Sequence, residues 1–208
     1  MADKENRTEM VFILDKSGSM SPLADDTIGG FNSMIEKQKK IGGDAAVTTV
    51  LFDTEIKRLH NSVDIKSIGR MTREDYTAGG CTALLDAIGT TLTEVQARQT
   101  GAKHTIAVII TDGMENASRE YNYSMVHDLI VKRKEEGWEF IFLGANIDAE
   151  RVGESIGVGK AMSVNYHADS RGTRLNFEAI GDAIGSLREN GAVADGWRNK
   201  IDEDFSSR

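Results

Sequence analysis

Met10-Val11-Phe12-Ile13-Leu14-Asp15-Lys16-Ser17-Gly18-Ser19 runs directly from five apolar residues into one carboxylate and two hydroxyls. The apolar stretch does not alternate with polar residues, which is the pattern of a strand covered on both faces. Asp15, Ser17 and Ser19 therefore stand at the carboxyl end of a buried strand. Their hard oxygen donors suit Mg²⁺, Mn²⁺ or Ca²⁺.

Outward from this stretch, apolar runs predict further strands over 47–52, 56–60, 105–111, 140–143 and 161–164. Helical spacing predicts helices over 24–40, 83–98, 124–136 and 174–187, with a short one beginning near Asp148. In the first helix, Ile28, Phe31 and Ile35 share a face, Asp25 and Asp26 occupy the first turn and lysines the last, which complements the helix dipole. The strands over 47–52 and 56–60 are too close for a crossover helix and read as an antiparallel hairpin turning at Asp53-Thr54. The order predicts an α/β fold: an open, doubly wound, mostly parallel sheet with helices on both faces and one antiparallel edge strand. A single domain is expected over 1–208, with its core over about 8–188. The first eight residues and the tail after Glu189 are expected to be frayed or loosely docked.

In such a sheet, ligands bind outside the carboxyl ends of the strands, where the strand order reverses. Two more segments compete for that place: Gly79-Gly80-Cys81-Thr82, before the second helix, and Thr111-Asp112-Gly113, after the most apolar strand. Asp15, Ser17, Ser19, Thr82 and Asp112 would then be oxygen donors from three loops on one rim. Each has a plainer reading by itself. Thr82 is well placed to cap a helix, Asp112-Gly113 is a common turn pair, and the first loop's side chains could bond their own backbone. Taken together, two carboxylates balance a divalent ion. Five short side chains leave room for an external ligand, for which an acidic group of a partner is the natural candidate.

Asp15-x-Ser17-x-Ser19, Thr82 within Gly-Gly-x-Thr-Ala-Leu-x-Asp-Ala, and Thr111-Asp112-Gly113 together resemble the von Willebrand factor type A domain and its metal ion-dependent adhesion site. The resemblance covers about residues 8–188. It implies a Rossmann-like, six-stranded sheet of order 3-2-1-4-5-6 and a Mg²⁺ (or Mn²⁺ or Ca²⁺) site at Asp15, Ser17, Ser19, Thr82 and Asp112. In the family the hydroxyls usually touch the ion directly, while the aspartates often act through water. The implied partner is a protein offering an Asp or Glu carboxylate. The family also includes intracellular assembly proteins that work with AAA-type ATPases or chelatases.

Composition narrows the field. The net charge of −8, from 25 basic and 33 acidic residues, argues against a nonspecific nucleic-acid binder, which needs a phosphate-neutralising surface. No apolar run approaches the length of a membrane span, the polar N-terminus has no apolar leader core, and Cys81 is the sole cysteine; a cytoplasmic chain without a membrane partner is expected.

The remaining polar residues read as follows. Asp53 and Glu55 fit a solvated hairpin tip better than a second ion site. Asp86 is expected to support a loop by hydrogen bonding. Glu115 and Asn116 either line the rim or are ordinary loop polars. His60, His104, His127 and His167 lie on separate elements, without zinc-ligand spacing. Cys81 is expected to be a buried or half-buried small residue. Gly157-Val158-Gly159-Lys160-Ala161 lacks the first glycine and the metal-binding hydroxyl of a phosphate loop.

The function expected is therefore a metal-dependent protein-binding module and not an enzyme. Two alternatives stand beside it. One is a phosphatase or related hydrolase with Asp15 as nucleophile, which is weakened because Ser17 stands where such enzymes usually place a second aspartate. The other is a scaffold holding a purely structural ion.

Overall fold

The computed structural model describes residues 7–98 and 101–208. Six strands form one sheet: β1 (Thr8–Asp15), β2 (Ala45–Phe52), β3 (Ile56–Asp64), β4 (His104–Thr111), β5 (Trp138–Gly144) and β6 (Ser163–Asn165). Their order is β3-β2-β1-β4-β5-β6. All neighbours are parallel except β2 and β3, so the expected mixed, doubly wound sheet is the observed one. The helices are α1 (Ala24–Lys39), α2 (Leu84–Ala97), α3 (Tyr123–Glu135), α4 (Ala149–Ser155), α5 (Ser170–Asn190) and α6 (Asn199–Ser207).

The unbroken apolar run of β1 has a direct structural meaning. Met10, Phe12 and Leu14 pack on one face of the sheet with Phe31 and Ile35 of α1 and Ile180 and Ile184 of α5. Val11 and Ile13 pack on the other face with Ile88 and Leu92 of α2 and Val126 and Ile130 of α3. β4 divides in the same way, with Ile106, Val108 and Ile110 on one face and Ala107 and Ile109 on the other. Each buried aliphatic side chain contributes about 1.5–3 kcal/mol relative to exposure, so the two-sided strands hold a large share of the core energy. α1 and α5 approach closely because Gly30 has no Cβ. One built there would lie 2.3 Å from the Phe177 ring.

Three expectations are corrected. The tail after Glu189 is not loosely docked: α6 buries Ile201, and Arg198 donates to the carbonyls of Lys160 (2.8 Å) and Ser163 (2.6 Å) and pairs with Glu150. Arg171 pairs with Asp204 and Arg208 with Asp169, so ion pairs at both ends supplement one apolar anchor. The last strand is Ser163–Asn165, because Lys160–Met162 form a 3-10 turn after Gly159 (φ 93°). α5 starts four residues earlier than its apolar spacing suggests, where Asp169 accepts from the Gly172 N–H at 2.8 Å and caps it. Of the expected frayed N-terminus, residues 1–6 lie outside the described residues, while Thr8 already belongs to β1.

The chain winds from β1 through α1 to β2 on one side and returns through α2 to β4 on the other. The switch point thus falls between β1 and β4, whose last residues lead into Asp15 and Asp112.

Candidate metal centre

Asp15 closes β1 with a fully buried side chain. Its Oδ1 accepts from the Ser17 N–H at 2.7 Å, and its Oδ2 accepts from Thr111 Oγ1 at 2.6 Å. The Tyr76 hydroxyl donates to the Asp15 carbonyl. Ser17 precedes a 3-10 turn, Gly18–Leu23, that swings Ser19 back over the strand end. Ser17 Oγ and Ser19 Oγ lie 3.2 Å apart, and Ser19 Oγ donates to Asp112 Oδ1 at 2.6 Å. The Cβ position of Gly113 is 3.8 Å from both Ser19 Oγ and Thr82 Oγ1. A side chain there would narrow the space between the loops. The three segments thus meet at one point, with Asp15, Ser17, Ser19, Thr82 and Asp112 around it.

The electrostatics of this point are one-sided. Burial raises the Asp15 carboxyl above the ordinary aspartate value; hydrogen bonds from Thr111 and Ser17 oppose this, and repulsion from Asp112 adds to it. Burial also raises Asp112, against the bond from Ser19. Among the described residues no basic side chain pairs with either carboxylate. The nearest lysine in sequence, Lys16, is engaged with Asp53, each being 13% exposed. Leaving a buried charge without a counter-charge costs several kcal/mol. A hydrogen bond to a charged group returns about 1.5–3 kcal/mol. The hydroxyls therefore soften the penalty without removing it, and a cation among these hard oxygens would cancel it. The donor set thus fits Mg²⁺ or Mn²⁺.

The capping role considered for Thr82 is not observed. The N-cap position of α2 is Ala83, without a side-chain bond. The first free N–H groups of α2 are taken from thirty residues away: Leu85 N donates to Glu115 Oε2 (3.0 Å) and Asp86 N to Ser118 Oγ (3.0 Å). Asn116 Oδ1 accepts from the Thr82 N–H at 2.9 Å, and the Thr82 carbonyl accepts from Asn116 N at 3.0 Å. Asp86 in return accepts from the backbone N–H groups of Arg119, Glu120 and Tyr121. Glu115 and Asn116 are thus neither bare rim nor idle polars: with Asp86 and Ser118 they clasp the second loop to the third. That clasp releases the Thr82 hydroxyl from capping.

On the other side, the hairpin tip holds the second loop. Thr54 Oγ1 accepts from Cys81 N at 2.9 Å and the Asp53 carbonyl from Ala83 N at 3.0 Å. Gly80 (φ 70°) passes so close to Thr54 that a Cβ would lie 2.8 Å from Oγ1. Cys81 is exposed rather than buried, because its buried neighbour Thr82 turns inward. Residues outside the expected set also secure the centre: Thr111 and Tyr76 on Asp15, and Asn146, whose Nδ2 donates to the Asp112 carbonyl at 3.1 Å. Nothing in sequence spacing marks Tyr76 or Asn146. Thr111 adjoins Asp112 and could have been read. The four histidines and Cys81 build no ligand group, and among the described residues no group of three His, Cys, Asp or Glu side chains is placed to hold a metal ion.

Comparison with known proteins agrees with this architecture. No curated protein sequence matches the chain. Among solved structures, the fold is similar to the PilB minor pilin from Streptococcus sanguinis (TM-score 0.68, 15% identity, covering 89% of this chain and 63% of that one). It is similar to proximal thread matrix protein 1 from the mussel byssus with a zinc-occupied MIDAS motif (TM-score 0.63, 14% identity, 87% and 46%). It is also similar to the manganese-loaded TRAP protein of Plasmodium vivax (TM-score 0.58, 17% identity, 83% and 74%). At these identities the likeness concerns the fold, and the chain spans under two thirds of the pilin's length. Residues 2–153, from the N-terminus through most of α4, match the profile of one sequence family. The chain belongs to that family, described as VWA domain containing CoxE-like protein.

Proposed function

We propose that this chain is a divalent-cation-dependent protein-binding module. Asp15, Ser17, Ser19, Thr82 and Asp112 would hold Mg²⁺ or a similar ion, and a partner's Asp or Glu carboxylate would complete its coordination. The observation that carries the reading is the pair of buried aspartates, without a basic partner among the described residues, facing three hydroxyls at the switch point of the sheet. When bound, the ion supplies a positive, electrophilic centre that a carboxylate can reach from solvent. The chain's own residues set its charge: two carboxylates and neutral hydroxyls add no surplus negative charge to repel an acid. An AAA-type ATPase or chelatase assembly, which the resemblance of the three loops to the von Willebrand factor type A domain implies, is the proposed source of the partner.

Binding is favoured over hydrolysis by the state of Asp15. Both of its oxygens already accept hydrogen bonds, from Ser17 N and Thr111 Oγ1, which suits a fixed ligand better than a free nucleophile. The test is a pull-down with the tagged chain in Mg²⁺, in EDTA, and with Asp15→Ala. Partners retained only by the wild type in Mg²⁺ support the reading. Partners retained equally in all three contradict it. A thermal shift on adding Mg²⁺ with no change in retention would instead favour the scaffold role.

A further inference from the structure

The surroundings of the ion site are asymmetric. On the β2–β3 side stands the polar hairpin tip, with Thr54 and Glu55 exposed and Asp53 paired with Lys16. On the β5–β6 side large apolar side chains stand among polar ones. Two hollows, of about 440 Å³ and about 590 Å³, lie side by side there and share Met114, Ile147 and Asp148 as their common ridge. Tyr123 lines the first and Phe205 the second. Met114 is 71% exposed, Phe205 43% and Tyr123 41%, so three of the five large exposed hydrophobics among the described residues are gathered on this one groove. Scattered surface apolars need no explanation, whereas these three line two adjoining hollows beside the ion site.

This groove is mechanically part of the metal centre. Met114 follows Asp112 by two residues. Asn146 sits on the groove wall in the left-handed region (φ 56°), where an asparagine is tolerated better than most side chains, and its amide holds the Asp112 carbonyl. Tyr166, also on the wall, donates its hydroxyl to the Thr111 carbonyl at 3.3 Å. Whatever seats in the groove therefore lies at a fixed offset from a carboxylate bound at the ion.

We propose that the groove takes a bulky apolar side chain of the partner segment that presents the acid, on one side of that acid only. The proposal rests on the reading that the ion takes a partner carboxylate, and it adds the partner's second determinant. The recognised segment is a short extended stretch carrying Asp or Glu with Leu, Ile, Met or Phe a few residues away toward the β5–β6 side, and no apolar requirement toward the hairpin. An anchor that fills a pocket beside a polar contact is the usual form of an interface hot spot.

The test is a phage-displayed peptide library with a fixed central Asp and three random residues on each side, panned on the full chain in Mg²⁺ and eluted with EDTA. The expected pool is enriched in large apolar residues on a single side of the Asp. Met114→Ser, a neutral change at an exposed position, should weaken the best peptide about tenfold or more while leaving Mn²⁺ affinity within about twofold. Phe205→Ser serves as a second groove variant. Metal-dependent enrichment with no apolar preference, or a preference untouched by both variants, overturns the groove and leaves the acid-binding reading standing. No metal-dependent enrichment at all overturns both. A chain that sediments as a dimer dissolved by Met114→Ser assigns the groove to a second copy and also overturns the proposal.

Discussion

Ser19 Oγ donates to Asp112 Oδ1 across 2.6 Å, joining residues 93 positions apart in the chain. The bond ties the loop after β1 to the loop after β4 at the point where two buried carboxylates approach one another. Asp112→Asn keeps an oxygen for Ser19 to donate to and removes one of the two charges. Without metal the variant should melt no lower than the wild type, because a buried like-charge interaction is relieved. With metal at about a hundred times its dissociation constant the wild type should gain about 2.7 kcal/mol. The variant should lose most of that gain. Thermal melts with and without Mn²⁺ check both arms, and an equal metal shift in the two proteins would sink the assignment.

The Glu115 clasp should contribute to stability through its charge. Its two oxygens accept from Leu85 N, Ala117 N, Ser118 N and Ser118 Oγ. Glu115→Gln turns one oxygen into a donor facing donors, so a loss of about 1–3 kcal/mol is expected in urea denaturation. Hydrogen exchange should quicken at the first turn of α2. A variant as stable as the wild type would show that the loops are held by other means.

His60 makes stability pH-dependent away from the metal centre. Its ring stacks on Phe31, its Nδ1 is buried without a partner, and burial lowers its pKa below 6.5, against the pull of Asp75. A histidine with a depressed folded value binds its proton more readily when unfolded. Its contribution is therefore whole above about pH 6.5 and is lost as pH falls from there through the lower folded value. His60→Phe should flatten that part of the stability profile without lowering stability at neutral pH. An unchanged slope would mean that another group carries it.

The C-terminal helix is expected to be held by Ile201 together with its ion pairs. Ile201→Ala leaves a cavity under α6 and should cost about 2 kcal/mol or more. Limited proteolysis should then cut between α5 and α6. Arg208 pairs with half-exposed Asp169 and with buried Asp204, and Asp204 keeps Arg171 as a second partner, so Arg208→Ala should have a smaller effect. Equal effects of the two changes would contradict this ranking.

Much of the fold was legible because β1, β4 and β5 are buried on both faces and so read as unbroken apolar runs. The last strand was not, since three residues carry too short a pattern. α6 offered a thin signal, Trp197, Ile201 and Phe205 at helical spacing among charges, and its docking depends on arginines whose partners are distant in sequence. The five candidate ligands were legible from residue type and loop position. The clasp was not. Local rules made Thr82 a plausible cap, and only the long-range bonds of Glu115, Asn116 and Ser118 show why it is free. Tyr76 and Asn146 act through backbone carbonyls, which no motif records.

The most direct measurement is anomalous diffraction from crystals soaked in saturating Mn²⁺. A single strong peak bounded by Asp15, Ser17, Ser19, Thr82 and Asp112, absent in Asp15→Ala, is the predicted result. No peak at that rim, or one that persists in Asp15→Ala, would contradict a metal centre at the β1–β4 switch point.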